Sequence, residues 1–353
     1  MMAENCNEDR VLAMLPAQPP NTVSRVLIVI PGTVNYFYNQ LGRRVAEALR
    51  ELRIQADIRT LDECDAPDLP SYDWCVLSNL YEILVANGEL EVGVGRVRQL
   101  LNNTKAGGVG LALDCVRTHW YGQLHEYHLE VGASDTLDLG LTDQAEFLRP
   151  QHRSHYQFVF NGVTESEREL ALVDTTIEAT RPFPWAFVGH MTHHRIGLID
   201  HLVQTVDPKG FVYVPVLSTY TENGPHLNQQ QFEQILRRTH YQVWCSSHDN
   251  FYMEPERFRT SLLTGGVPVK VIEDYQKVPE NVPFRHLLVP RDALGERLTD
   301  DAFTRMRGLF RNEFLAMPSL ADSFAKLLTA KGMRLPQPLE ELKPVREPLR
   351  LAG

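Results

Sequence analysis

The stretch that most constrains this chain is residues 241–273, YQVWCSSHDNFYMEPERFRTSLLTGGVPVKVIE. Tyr241, Val243, Trp244 and Cys245 make a short apolar run of the kind that forms a buried strand. A polar loop follows, and Pro255 stands where proline is tolerated, in the first turn of a helix. Phe258, Leu262 and Leu263 recur at helical spacing. Gly265-Gly266 supplies the left-handed helix end, and residues 267–272 form the next apolar run. Strand, loop, helix and strand in this order specify a parallel pair with a crossover helix. Glu254, Glu256 and Arg257 then fall at a helix N-terminus facing the carboxyl end of a strand, where anionic ligands bind in such sheets.

The same alternation runs through the rest of the chain. RVLIVI, residues 25–30, is a continuous apolar run typical of a strand covered on both faces, and it ends in Pro31-Gly32-Thr33. Residues 35–53 read as a helix with Phe37, Leu41, Val45, Leu49 and Leu52 on one face. Strands are expected at 54–61, 73–78 and 108–114, helices at 92–102 and 119–129, and strand-like runs at 135–141 and 156–160. Arg181-Pro182-Phe183-Pro184 breaks the pattern, because two prolines in four residues interrupt regular structure. The series restarts with strands at 185–188, 210–217 and 241–246, helices at 195–206 and 228–239, a strand at 286–289 and helices over 300–330. The expected architecture is α/β, two Rossmann-like doubly wound domains facing a cleft. Its divisions are a flexible tail at 1–22, an N-terminal domain at 23–182, a C-terminal domain at 183–334, and a Pro-rich tail at 335–353.

Composition narrows the function classes. A length of 353 residues suits two cores, and a formal net charge of −10 argues against binding nucleic acid by bulk attraction to phosphate. No apolar run approaches the roughly 20 residues of a spanning helix. The acidic start MMAENCNEDR is unlike a signal peptide, and five scattered cysteines without a CxxC pair fit a reduced, cytoplasmic setting.

The second half resembles the GT-B glycosyltransferases, and most specifically the spore-maturation-type family-1 enzymes, over roughly residues 185–320. PWAFVGHMTHHR is similar to their "FVGxxxxxR" opening, LNQQQFEQILRRTHYQVWCSS to the helix and strand that follow, and EPERFRTSLLTGGVPVKV to their "RxFExxAxGxxPV" helix. The match departs at Thr260, where the family carries glutamate. Glu256-Arg257 instead resembles the Glu-Lys pair that precedes this helix in α1,3-fucosyltransferases. The resemblance implies a nucleotide diphosphate sugar as donor, a hydroxyl-bearing acceptor, and no cofactor or metal. It makes Glu254 or Glu256 a ribose ligand and Arg257 a diphosphate ligand, with Gly189, His190 and Arg195 near the phosphates.

Residue chemistry adds candidates and their ordinary alternatives. Acids are common at helix starts whether or not they bind anything. Ser247, His248 and Asp249 lie in the loop after a strand and are placed to touch donor sugar or phosphate. His190, His193 and His194 have no acid or cysteine at ligand spacing, so a metal centre is not expected there. A transferase that deprotonates an acceptor hydroxyl needs a base from the N-terminal side, and the strand ends offer Asn35, Glu82, Asp114 and His119. Asp114 and His119 follow the fourth strand, although an aspartate there is also an ordinary turn or cap residue. An epimerase of the same architecture or a non-catalytic sugar-nucleotide binder would share the donor-site features. An epimerase would also need an acid/base pair flanking the sugar.

Overall fold

The computed structural model describes residues 22–32, 36–86, 90–172, 181–214 and 227–336. Residues 1–21 and 337–353 of the two tails, Thr33, Asn35 and the far end of the strand expected at 210–217 lie outside the described residues.

The first sheet contains β1 (Arg25–Val29), β2 (Gln55–Arg59), β3 (Trp74–Leu77), β4 (Gly108–Ala112), β5 (Thr136–Gly140) and β6 (Tyr156–Phe160). All are parallel, in the order β2-β1-β3-β4-β5-β6. Alternate residues of β1 go to opposite layers. Val26 and Ile28 pack with Val45 and Leu49 of α1 (Tyr36–Glu51), while Leu27 and Val29 pack with Ile83 of α2 (Leu80–Ala86) and Val97 of α3 (Leu90–Asn102). This two-sided burial is the reason RVLIVI is continuous rather than alternating. Helix α2 is absent from the expected series, because LYEILVA is too short to show a helical period. Helices α4 (His119–Val131) and α5 (Glu165–Leu172) complete the first half.

The second sheet is also parallel: β7 (Phe183–Val188), β8 (Phe211–Tyr213), β9 (Thr239–Cys245), β10 (Val267–Ile272) and β11 (Leu288–Pro290), in the order β11-β10-β9-β7-β8. Its helices are α6 (His193–Thr205), α7 (Gln229–Arg237), α8 (Pro255–Thr264), the single turn α9 (Leu294–Arg297) and α10 (Asp300–Leu315). Local signals are met at α7, whose Asn228 and Gln231 form a reciprocal capping box, and at α8, which Gly265 ends at φ 68°. Phe183-Pro184 begins β7 rather than breaking the chain, since proline is admissible at the start of a strand. Both sheets reverse strand order beside their first strand, and the crevice at such a reversal is where ligands sit.

The last described helix, α11 (Leu320–Ala330), was expected in the second half but returns to the first. Phe324, Leu327 and Leu328 enter the core beside β1 and α1. Its amphipathic pattern says that one face is buried, not against which sheet. A buried ion cluster lies where the halves meet: Arg44 of α1 bonds Glu167 of α5 at 2.8 Å and Glu256 of α8 at 3.0 Å. Arg259 contacts both acids, and both arginines donate to the Gly162 carbonyl. Among the described residues no helix is long and apolar enough to cross a membrane.

Candidate functional site

A cavity of about 1050 Å³ lies between the sheets at the carboxyl ends of their strands. That is at the upper limit of the roughly 300–1,000 Å³ typical of small-molecule sites. From the first half it is lined by Glu82, Asp114 and His119, and from the second by Gly189, His190, Arg195, Ser247, His248 and Arg257. Nine of the residues singled out in the sequence therefore converge, from positions up to 175 apart (82 to 257).

The second-half side carries the cations. Strand β7 ends at Gly189, whose φ of 153° disfavours a side chain. A Cβ there would stand 3.0 Å from Arg257 Nη2 and 3.2 Å from Arg195 Nη1, so the glycine leaves room for two guanidinium groups. Its own amide is not offered to a ligand, because it donates to the Tyr213 carbonyl at 3.1 Å. Arg257 donates to the Val188 carbonyl at 2.7 Å and stacks over Trp244. Arg195 is only 6% exposed and donates to the His190 carbonyl at 2.9 Å; its Nε has no partner among the described residues. Burial pushes its pKa down, against the attraction of Glu254, Cys245 and Asp114. Among the described residues no side chain caps the first amides of helix α6, which begins beside these groups, and the Thr192 hydroxyl is also unpartnered. Two cations and an uncapped helix N-terminus give this end of the cavity the charge and hydrogen-bond supply that suit an anion.

The first-half side carries a carboxylate. Asp114 follows β4, accepts a bond from the Cys115 amide at 2.7 Å, and lines the cavity. Burial, reinforced by Glu254, raises its pKa to about 6, with the Cys115 bond, Arg195 and His119 opposing the rise. His119 opens α4 behind the Thr118 cap and stacks on Trp120, which is 56% exposed at the cavity. Glu82 is buried in the first turn of α2, its amide held by the Asn79 side chain.

Three expected site residues do not line the cavity. Glu256 is committed to Arg44 and Arg259 in the buried cluster, and so is structurally engaged rather than turned to a ligand. Glu254 accepts from Lys270 Nζ at 2.7 Å and Trp244 Nε1 at 2.9 Å. Burial would raise its pKa, but Lys270 and Arg257 outweigh that and hold it below the usual range. Asp249 is exposed and pairs with His194 at 3.1 Å. His248 sits in the loop beside it, its Nδ1 accepting from the Asn250 amide, with its pKa lowered by burial. Sequence reasoning missed Lys270, a fully buried ammonium inside VPVKVI, although a lone charge in an apolar strand is itself a signal. Among the described residues no group of three or more His, Cys, Asp or Glu is arranged to hold a metal ion.

No known protein-family profile matches the chain, and no curated protein matches its sequence. Solved structures do match its fold. An alpha-glucosyltransferase in complex with UDP and a 13-mer DNA containing a HMU base superimposes with a TM-score of 0.60 at 9% identity, covering 88% of this chain and 99% of that one. An alpha-glucosyltransferase in complex with UDP-glucose and DNA containing an abasic site gives 0.53 at 7% identity, with 88% and 99% covered. At such identities the likeness is one of fold, and with two parallel sheets of six and five strands facing a common cavity, the fold of this chain is GT-B.

Proposed function

We propose that this protein is a glycosyltransferase that moves a sugar from a nucleotide diphosphate sugar to an acceptor hydroxyl. The observation that carries the reading is the opposition, across one cavity, of Arg195 and Arg257 to a carboxyl group, Asp114, tuned to about 6. Arg195, Arg257 and the first amides of α6 hold the diphosphate and stabilise the charge it gains as it leaves. Asp114 takes the acceptor proton as the acceptor oxygen bonds the anomeric carbon and the bond to the diphosphate breaks. At neutral pH such a group is mostly ionised yet basic enough to help, which is what general-base catalysis requires. His119 and Glu82 are the alternative bases on the same wall.

In this proposal residues 23–182 together with α11 form the acceptor side, and the rest of residues 183–334 the donor side. The ordered motifs over residues 185–320 support placing the chain near the spore-maturation-type enzymes. Trp120, exposed at the cavity, offers a flat face to an acceptor ring. Both fold neighbours described above are in complex with DNA, but a net charge of −10 gives this chain no bulk attraction to phosphate, so a smaller acceptor is favoured. A thermal-shift series with uridine, guanosine and thymidine diphosphates, followed by product analysis with the matching sugar nucleotides, tests the reading. Binding of at least one diphosphate with transfer or slow hydrolysis of its sugar supports it; the absence of any diphosphate binding refutes it.

A further inference from the structure

Behind Asp114 lies a second carboxyl group that the proposed reaction does not use. Asp138, on β5, is fully buried. Its Oδ2 meets the Tyr156 hydroxyl at 2.9 Å and Gln144 Nε2 at 3.4 Å, while its Oδ1 has no partner among the described residues. Gln144 Nε2 also lies 3.3 Å from the Asp114 carbonyl, which ties the two aspartates together. The Tyr156 hydroxyl, already accepting from the Gln144 amide, stands 3.0 Å from Asp143 Oδ1 as well.

The proton count is decisive. One phenol proton shared between two carboxylates makes only a weakened three-centre bond, so both contacts are full hydrogen bonds only if one carboxyl group carries a proton. Asp143 is exposed and solvated, whereas Asp138 is shut in with an unpartnered oxygen, so the proton belongs on Asp138. The groups facing it are Asp143, Gln144 and Tyr156 from the β5–β6 region, Tyr121 of α4, Tyr252 from the loop before α8, and Asp114. None is a cation. Burial, with the like charges of Asp143 and Asp114, moves Asp138 up to about 7 against the Tyr156 and Gln144 bonds.

We infer that Asp138 works in its protonated form as a positioning residue: the neutral carboxyl group holds Gln144 and Tyr156 behind the cavity and leaves Asp114 as the carboxylate free to take the acceptor proton. Ionising Asp138 places a second negative charge behind the floor, beside the base and on the approach of an anionic donor. This rests on the glycosyltransferase reading, and it adds an alkaline limit to the working range.

The test is the pH profile of kcat/KM for hydrolysis or transfer with UDP-glucose and with GDP-fucose, for the full chain and its Asp138→Asn and Asp143→Asn variants. The unsubstituted protein should show an acid limb near 6 and an alkaline limb near 7, belonging to the coupled set rather than to single groups. Asp138→Asn mimics the protonated acid. It should keep at least a third of the peak value and extend the plateau by about one pH unit or more. Asp143→Asn removes a like charge from an exposed site, lowers the Asp138 pKa, and should move the alkaline limb the other way, to lower pH. A merely structural role for Asp138 produces no such opposed pair of shifts. Superimposable profiles, or an Asp138→Asn protein that binds donor but is inactive at every pH, overturn the inference and leave the transferase reading standing. If Asp138→Asn does not fold, the carbon-13 carboxyl shift of Asp138 in the unsubstituted protein decides: protonated at pH 6 supports the inference, ionised overturns it. If neither donor is bound or turned over, the carboxyl shift of Asp138 decides the inference, and the transferase reading stands or falls separately by the diphosphate series.

Discussion

Arg195 sets binding against folding, and replacing it with methionine should move the two in opposite directions. The guanidinium is buried, bonds one carbonyl, and has no carboxylate within ion-pair distance among the described residues. Its lowered pKa shows that the surroundings disfavour the charge, so an apolar side chain of similar length relieves a penalty. After the loss of the His190 bond, at about 0.5–1.5 kcal/mol, the net gain in stability should be about 1 kcal/mol. Binding should change the other way. A charge-assisted bond to a diphosphate contributes about 1.5–3 kcal/mol, so Kd should rise roughly 10- to 150-fold. The two effects make the melting order reverse with ligand. With diphosphate at about 100 times the original Kd, the unsubstituted protein gains about 2.7 kcal/mol, whereas a variant weakened 100-fold gains only about 0.4. Differential scanning calorimetry with and without the diphosphate selected by the thermal-shift series reads both numbers. A variant that melts lower without ligand and binds diphosphate as tightly as before would refute the assignment of Arg195 as a cation held ready for an anion.

Other outcomes follow from the same geometry. Asp114→Asn should slow transfer by about 10²–10⁴-fold while changing donor Kd by less than about tenfold, as steady-state rates and calorimetry would show; full activity would move the role to His119 or Glu82. Lys270→Met leaves Glu254 without its ammonium partner in a buried site and should cost about 3 kcal/mol in urea unfolding, and a loss under about 1 kcal/mol would mean the pair is not worth its burial. His125 and His128 are buried around Thr136, and burial lowers their pKa values to about 4 and about 3. The unfolded chain therefore binds more protons at these two sites below its ordinary histidine pKa, and each histidine should take away about 2 kcal/mol of stability between pH 7 and pH 5. Asp114 and Asp138, whose pKa values are raised, gain stability over the same range, so the check is a difference: on lowering the pH from 7 to 5, a His125→Gln variant should lose about 2 kcal/mol less in urea unfolding than the unsubstituted protein, and equal changes would contradict this.

The resemblance of the second half to glycosyltransferases was readable because its signals are local. Pro255 opening a helix, Gly265 closing it, and apolar runs on either side need only a few neighbouring residues to act. The same holds for Asp114 at a strand end and for Gly189 after β7, which put both on the cavity once the sheets were parallel. Where a charged side chain turns was not readable. Glu256 looked like a ligand at a helix start, yet its partner Arg44 is 212 residues away in α1.

Local sequence thus determined which segments become strands and helices, because backbone propensity and one-face burial act over a single element. Tertiary structure decided what those elements cover and which charges remain for a ligand. Helix α11 returned to the first sheet, Glu254 was taken up by Lys270, and Glu256 by Arg44 and Arg259. A buried charge settles on whichever partner the fold brings within hydrogen-bond reach, and that partner's position in sequence is unconstrained. Arg195 was brought beside Gly189 with no carboxylate within ion-pair distance among the described residues, and that charge, which no spacing rule encodes, is what the proposed diphosphate site rests on.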